Sequence, residues 1–225
     1  MTWFHWLANL LLRAVLRILL KLEIHGAENL PLTGTLIVVI NHASFLDPLI
    51  ASAFLPRTIL PLGKAELFKK PLVGWVFPAY GAIPVRRGEI DRTAIRRSLT
   101  LLRGGGALLV APEGTRSGDG RLQHGRSGVA LLAVRTDATI LPVAIWGVEA
   151  FWHNLSRLRR TEAHMAVDQP YHIAIEGRKV PREQLDEITD EIMFRLARLL
   201  PHEYRGEYED LAHATERYLR PAGAA

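Results

Sequence analysis

The segment Asn41-His42-Ala43-Ser44-Phe45-Leu46-Asp47-Pro48 follows directly on Thr35-Leu-Ile-Val-Val-Ile40, and this junction constrains the fold more than any other stretch. The run 35–40 is β-branched and apolar, the pattern of a strand buried on both faces. A histidine follows the strand at once, with a carboxylate five positions on. Five helical steps turn the chain about 500°, so His42 and Asp47 would not share a helix face. They meet only if the chain turns between them. Pro48 suits the first turn of a helix, and Asp47 suits the N-cap beside it. The junction therefore predicts a strand, a loop carrying His42 and a helix opening near Asp47. A carboxylate on one imidazole nitrogen fixes the tautomer and leaves the other nitrogen free to act as a base.

Downstream, apolar runs alternate with helical periods. A short edge strand is expected at 22–26, a strand at 57–62 and a strand within Gly81–Arg87. Ile90–Arg103 is expected to be helical, with Ile95, Leu99 and Leu102 on one side and Arg92, Arg96, Arg97 and Arg103 elsewhere. Gly104-Gly-Gly106 stops that helix, and Ala107–Ala111 is a core strand. A helix at about 127–135, a strand at 139–146, two short strands near 163–167 and 171–176, and a helix over 181–200 follow. Pro71–Tyr80 is very apolar but carries Gly and Pro, which argues against a long helix; lining an apolar pocket, touching lipid and plain core packing all remain open for it. The expected fold is α/β, a single domain with a largely parallel central sheet flanked by helices. The expected division is 1–21, 22–200 and a charged extension at 201–225 with a last helix and a frayed tail.

Composition narrows the function. The chain has 225 residues, no cysteine and a net charge of +5. Thiolate metal sites and disulfides are excluded, and an anionic partner is favoured. Trp3–Leu20 is nearly all apolar, yet His5, Asn9, Arg13, Arg17 and Lys21 recur every four residues and form one polar stripe. Arginine inside a membrane span is costly. The reading adopted is a helix lying in the membrane interface, with Arg13, Arg17 and Lys21 among lipid phosphates. A spanning helix and a helix packed on the protein's own core are the alternatives. A signal peptide is disfavoured, because no basic residues precede the apolar run.

Four blocks in order resemble the glycerolipid acyltransferases, the PlsC-type 1-acylglycerol-3-phosphate acyltransferases and their relatives. Asn41-His42 to Asp47 is similar to the first motif and Gly81 to Arg87 to the second. Pro112-Glu113-Gly114-Thr115-Arg116-Ser117 is similar to the third and Leu141-Pro142-Val143-Ala144 to the fourth. Arg86 departs from the pattern, since many relatives carry an acidic or polar residue there. The resemblance implies that His42 is the general base and Asp47 orients it. It implies that Arg87, Arg116 and the turn Gly114-Thr115 hold a phosphate-bearing acceptor, with Lys64 a weaker candidate that is equally well a solvated surface lysine. Glu113, acceptor-only when ionised, is expected to hold an arginine or a glycerol hydroxyl. The implied reaction moves a fatty acyl group from acyl-CoA or acyl carrier protein to the hydroxyl of 1-acylglycerol 3-phosphate, giving phosphatidic acid, with no cofactor and no nucleic acid. It would run on an anionic membrane surface at the cytoplasmic face. Glycerol 3-phosphate, other lysophospholipids and lyso-aminolipids stay open as acceptors. A serine hydrolase using Ser44 is the different-class alternative, although Gly125-Arg-Ser-Gly128 does not match a nucleophile elbow. A non-catalytic lipid-binding module is another.

Overall fold

The computed structural model describes residues 3–71, 74–88, 90–175, 177 and 179–222. Helix α1 (Trp3–Leu19) leads into strand β1 (Leu20–His25). Strand β2 (Leu36–Ile40), helix α2 (Asp47–Phe54), strand β3 (Leu60–Lys64), the five-residue helix α3 (Val76–Tyr80) and strand β4 (Ile83–Val85) follow. Then come α4 (Arg92–Arg103), β5 (Ala107–Val110), α5 (Gly128–Thr136), β6 (Thr139–Trp146), α6 (Phe151–Leu155), β7 (Thr161–Val167), β8 (Tyr171–Ile173), α7 (Arg182–Leu199) and β9 (Leu219–Pro221).

Among the described residues the strands form one sheet in the order β1-β7-β6-β2-β5-β3-β4, with β8 and β9 attached beside β6. The path from β6 through β2, β5 and β3 to β4 is parallel throughout. β7 runs antiparallel to β6 and parallel to β1, while β8 and β9 are antiparallel additions. The sheet is thus largely parallel and flanked by helices, as expected. β2 shows why its run is apolar throughout. Ile37 and Val39 enter the core under α4, α5 and α7, whereas Leu36, Val38 and Ile40 enter the core under α1 and α2. A strand covered on both faces keeps no polar side.

The topology positions a site. β2 lies between β5 on one side and β6 on the other. Chain connections leave β2 and β5 in different directions, which opens a crevice beyond the carboxyl ends of these strands. The loops bearing His42, Arg87 and Glu113 all emerge there.

Several expectations are corrected. Helix α1 ends at Leu19, so Lys21 lies on β1, where it pairs with Glu162 at 3.1 Å. The polar stripe of α1 faces the protein. His5 Nε2 donates to the Tyr80 carbonyl (3.0 Å), and Asn9 accepts from the Tyr80 hydroxyl (3.0 Å). Arg13 donates to the Ala53 carbonyl, and the Arg17 guanidinium lies over the Phe54 ring. The physical reason is the C-terminus of α2, whose last carbonyls lack helical partners and carry the negative end of the helix dipole. Arg13 satisfies one carbonyl at that end, and Arg17, itself exposed, lies against the Phe54 ring beside it. The apolar side of α1 is left outward, with Trp3 76% and Ile18 70% exposed. Among the described residues no helix is long and apolar enough to cross a membrane.

The expected last helix after residue 200 is absent among the described residues. Short 3₁₀ turns occupy 202–204, 206–208 and 211–213, and β9 then joins the sheet against β8. The strand expected to reach 176 stops at Ile173, and Glu176 lies outside the described residues, as do the tail at 223–225 and Leu72 and Val73 of the apolar 71–80 segment.

Candidate active site

The loop between β2 and α2 brings His42 to Asp47. His42 Nδ1 lies 3.3 Å from Asp47 Oδ2, with Asp47 fully buried and His42 8% exposed. Asp47 is the first residue of α2 rather than its cap. Its carboxylate turns back into the loop, where the same Oδ2 accepts the Ser44 N–H at 2.6 Å. Burial pushes the Asp47 carboxyl up, while His42 and the Ser44 N–H pull it down. Asn41 fastens the base of this loop. Its amide nitrogen donates to the Ile145 carbonyl (2.6 Å), and its oxygen accepts the Ile145 N–H (2.8 Å), so the end of β2 is clipped to β6.

The loop after β5 grips the histidine through the main chain. Glu113 Oε1 accepts the His42 N–H at 2.7 Å, and the His42 carbonyl accepts the Ser117 N–H at 2.8 Å. The other Glu113 oxygen accepts the Gln123 N–H at 3.0 Å. Glu113 is 3% exposed, and among the described residues it holds no arginine and presents no open face toward a hydroxyl, contrary to the expectation from the sequence. Burial, aided by the neighbouring Asp47 charge, pushes its carboxyl up to about 7 against the pull of the two main-chain donors. Gly114 must be glycine here. Its φ is +71°, and a Cβ would come within 2.9 Å of Arg126 Nε.

A cleft of about 840 Å³ opens beside His42. Its walls are apolar, built from residues such as Leu62, Val85, Ile95, Leu109, Leu132 and Leu185. Its charged lining comes from Arg86, Arg87, Arg126 and Arg182, with the carboxylates Asp91 and Asp186 also on the wall. Burial and the nearby Arg116 charge hold the Arg87 guanidinium below its ordinary value, with Glu66 pulling the other way. Two cations close enough to oppose each other mark a place that an anion would relieve.

The structure therefore gathers His42, Asp47, Glu113, Gly114 and Arg87, with Arg116 beside Arg87. Thr115 and Arg116 are exposed at the turn outside the cleft lining. Lys64 is exposed, points to Glu66 at 3.8 Å and does not line the cleft. Residues 74–80 do not line it either. Three participants were missed from sequence. Ser117 and Gln123 act through main-chain N–H groups, which leave no signal in side-chain chemistry. Arg126 lies in Gly125-Arg-Ser-Gly128, a stretch whose spacing carries no sign of a cleft-lining arginine. Ser44 Oγ accepts the Leu46 N–H at 3.2 Å, and among the described residues it makes no bond to His42.

A model of the Acyltransferase family matches residues 21–146, more than half of the chain. A chloroplastic 1-acyl-sn-glycerol-3-phosphate acyltransferase of Arabidopsis thaliana is 32% identical over 148 residues, covering 64% of this chain and 41% of that protein. A 1-acyl-sn-glycerol-3-phosphate acyltransferase of Borreliella burgdorferi is 29% identical over 153 residues, covering 65% of this chain and 61% of that one. The chain thus spans roughly two fifths to three fifths of the length of these relatives. The crystal structure of the 1-acyl-sn-glycerophosphate acyltransferase PlsC from Thermotoga maritima shares the fold, with a TM-score of 0.67 at 24% identity over 94% of this chain and 80% of that one. Sequence match and shared architecture converge on one conclusion, that this chain belongs to the acyltransferase family that includes the 1-acyl-sn-glycerol-3-phosphate acyltransferases.

Proposed function

We propose that the protein transfers a fatty acyl group from a thioester, on CoA or acyl carrier protein, to the hydroxyl of 1-acylglycerol 3-phosphate, giving phosphatidic acid. The observation that carries this reading is the His42–Asp47 pair, with Asp47 buried behind a His42 that lines an apolar cleft whose polar rim bears Arg87. With Nδ1 turned to Asp47, Nε2 is the imidazole nitrogen left to take a proton. The acceptor O–H gives its proton to Nε2 as its oxygen attacks the thioester carbonyl carbon. The C–S bond then breaks, and the departing thiolate takes the proton back from the imidazolium. No acyl-enzyme forms. Arg87 and Arg116 hold the acceptor phosphate, Gly114 and Thr115 form the turn beneath it, and the apolar cleft takes an acyl chain. Glu113 acts on His42 through its main chain rather than on the substrate. Lys64 is a peripheral contributor at most, since Glu66 already answers its charge.

A serine hydrolase is the weaker reading, because Ser44 Oγ is directed to the Leu46 N–H and the histidine is committed to Asp47. Other lyso-lipids within the same family are the closer alternative. A panel of lyso-lipids offered with palmitoyl-CoA and palmitoyl-acyl carrier protein tests the reading. Preferred conversion of 1-acylglycerol 3-phosphate supports it, and hydrolysis of donor without an acylated lipid product overturns it.

The acceptor is itself a membrane lipid, and the outward face of α1 supplies a means of docking. Trp3, Trp6, Leu10, Leu11, Val15 and Ile18 are exposed together. Inserting such side chains at roughly 1.5 kcal/mol each gives on the order of 10 kcal/mol before the cost of immobilising the protein. Helix α1 lies in the interface at the cytoplasmic face of the membrane, apolar side down, with Arg13 turned inward to the end of α2. Phe45 of the His42 loop and Trp152, stacked at 5.4 Å, are exposed as well and add apolar surface beside the site.

A further inference from the structure

Helix α4 carries Arg92, Arg96, Arg97 and Arg103, all exposed, and among the described residues none of the four has a carboxylate partner. Other arginines of the chain are engaged. Arg57 donates to four main-chain carbonyls, Arg160 to those of Arg17 and Leu20, and Arg195 and Arg198 share Glu216. At 100° per residue, Arg92, Arg96 and Arg103 fall within about 40° of one another, and at 1.5 Å per residue they run about 16 Å along the helix. Three unanswered guanidinium groups in one line repel each other and favour an anionic surface.

The placement narrows what that surface is. α4 borders the cleft, since Ala94, Ile95 and Ser98 line it. It packs in the core that holds Ile37 and Val39, on the sheet face opposite α1 and α2. A bilayer held by the outward face of α1 leaves α4 toward water, which disfavours lipid as its partner. The stripe also runs away from the catalytic edge. Arg92 sits near the cleft, whereas Arg103 precedes the turn into the start of β5, at the end of the strands opposite the site. A compact phosphate group near the thioester would need only the near end.

We propose that this arginine stripe docks an acidic carrier protein, which presents its acyl thioester to the cleft while α1 holds the lipid acceptor from the other side. The proposal rests on the acyl-transfer reading above and names its donor as carrier-bound. Charge complementarity of this kind acts mainly on encounter rate and is weakened by salt.

The test compares the full-length protein with R92E/R96E/R103E, using palmitoyl-acyl carrier protein and palmitoyl-CoA as donors and 1-oleoylglycerol 3-phosphate in mixed micelles as acceptor. Triple reversal should lower kcat/KM for the carrier-bound donor roughly ten- to a hundredfold and flatten its salt dependence, with the palmitoyl-CoA rate and the thermal melt unchanged. Equal loss with both donors, or no loss with either, overturns the proposal. So does reduced binding to anionic vesicles with unaltered carrier kinetics, which would make the stripe a lipid face, or a wild type that uses palmitoyl-CoA alone. Transfer from neither donor by the wild type fails the acyl-transfer reading itself. If the triple variant does not fold, Arg96→Glu and the salt dependence of the wild type decide between the same outcomes.

Discussion

The main-chain N–H of His42 donates to the Glu113 carboxylate across 2.7 Å, tying the loop after β2 to the loop after β5. The bond makes Glu113 a positioning residue for the histidine. Glu113→Gln keeps one acceptor but turns an NH₂ group toward either His42 or Gln123, whose N–H groups can only donate. The variant should lower kcat more than it raises the acceptor KM. Steady-state kinetics at varied lyso-lipid would show this, and an isolated rise in acceptor KM would make Glu113 a substrate contact instead.

The same carboxylate predicts a pH dependence of stability. Its pKa rises from 4.5 in the unfolded chain to about 7 in the folded one, so the native state binds the extra proton between these values. Its contribution is fully present below about 4.5 and is lost as pH rises through about 7, a change on the order of 3 kcal/mol. Denaturant titrations at pH 5 and pH 8 should show wild type losing stability relative to Glu113→Gln as pH rises. Parallel pH profiles for the two proteins would contradict the assignment.

The guanidinium pair gives a binding prediction. If Arg87 and Arg116 hold the acceptor phosphate as proposed, Arg87→Ala or Arg116→Ala should cost about 1.5–3 kcal/mol and hence roughly ten- to a hundredfold in acceptor kcat/KM. Donor kinetics should barely move. A selective effect on the donor would assign these arginines to its phosphates.

Which of this was legible beforehand follows from the range of the interactions involved. The strand at 36–40, the turn through His42 and the helix opening at Asp47 are local, and hydrophobic pattern with turn chemistry reports them. The grip of Ser117, Gln123 and Glu113 on the His42 loop is non-local and runs through main-chain groups, so no spacing announces it. Helix α1 shows a different limit. A period of four reveals a polar stripe but not which way it faces, and the direction was decided by the open C-terminus of α2. Leu219-Arg-Pro221 is too short to read as a strand until Tyr171–Ile173 is beside it.

The inward stripe changes what membrane variants should do. Leu10→Glu with Ile18→Glu should sharply reduce flotation with anionic vesicles while leaving the melt near wild type. Arg13→Ala should instead lower the melting temperature, because it uncaps α2, with weaker effects on flotation. The reverse pattern would place the basic residues at the lipid.

The central claim is that His42, oriented by Asp47, drives acyl transfer to a lysophosphatidic acceptor. The most direct test is to incubate the purified protein with 1-oleoylglycerol 3-phosphate and a radiolabelled acyl thioester and to measure labelled phosphatidic acid. Wild type should form it. His42→Ala should abolish it, and Asp47→Asn should reduce it severely, by roughly 10⁴ on the pattern of other oriented imidazoles, with the fold intact by circular dichroism. Phosphatidic acid formed by His42→Ala at near the wild-type rate, or none formed by the wild type from any thioester donor, would contradict the account.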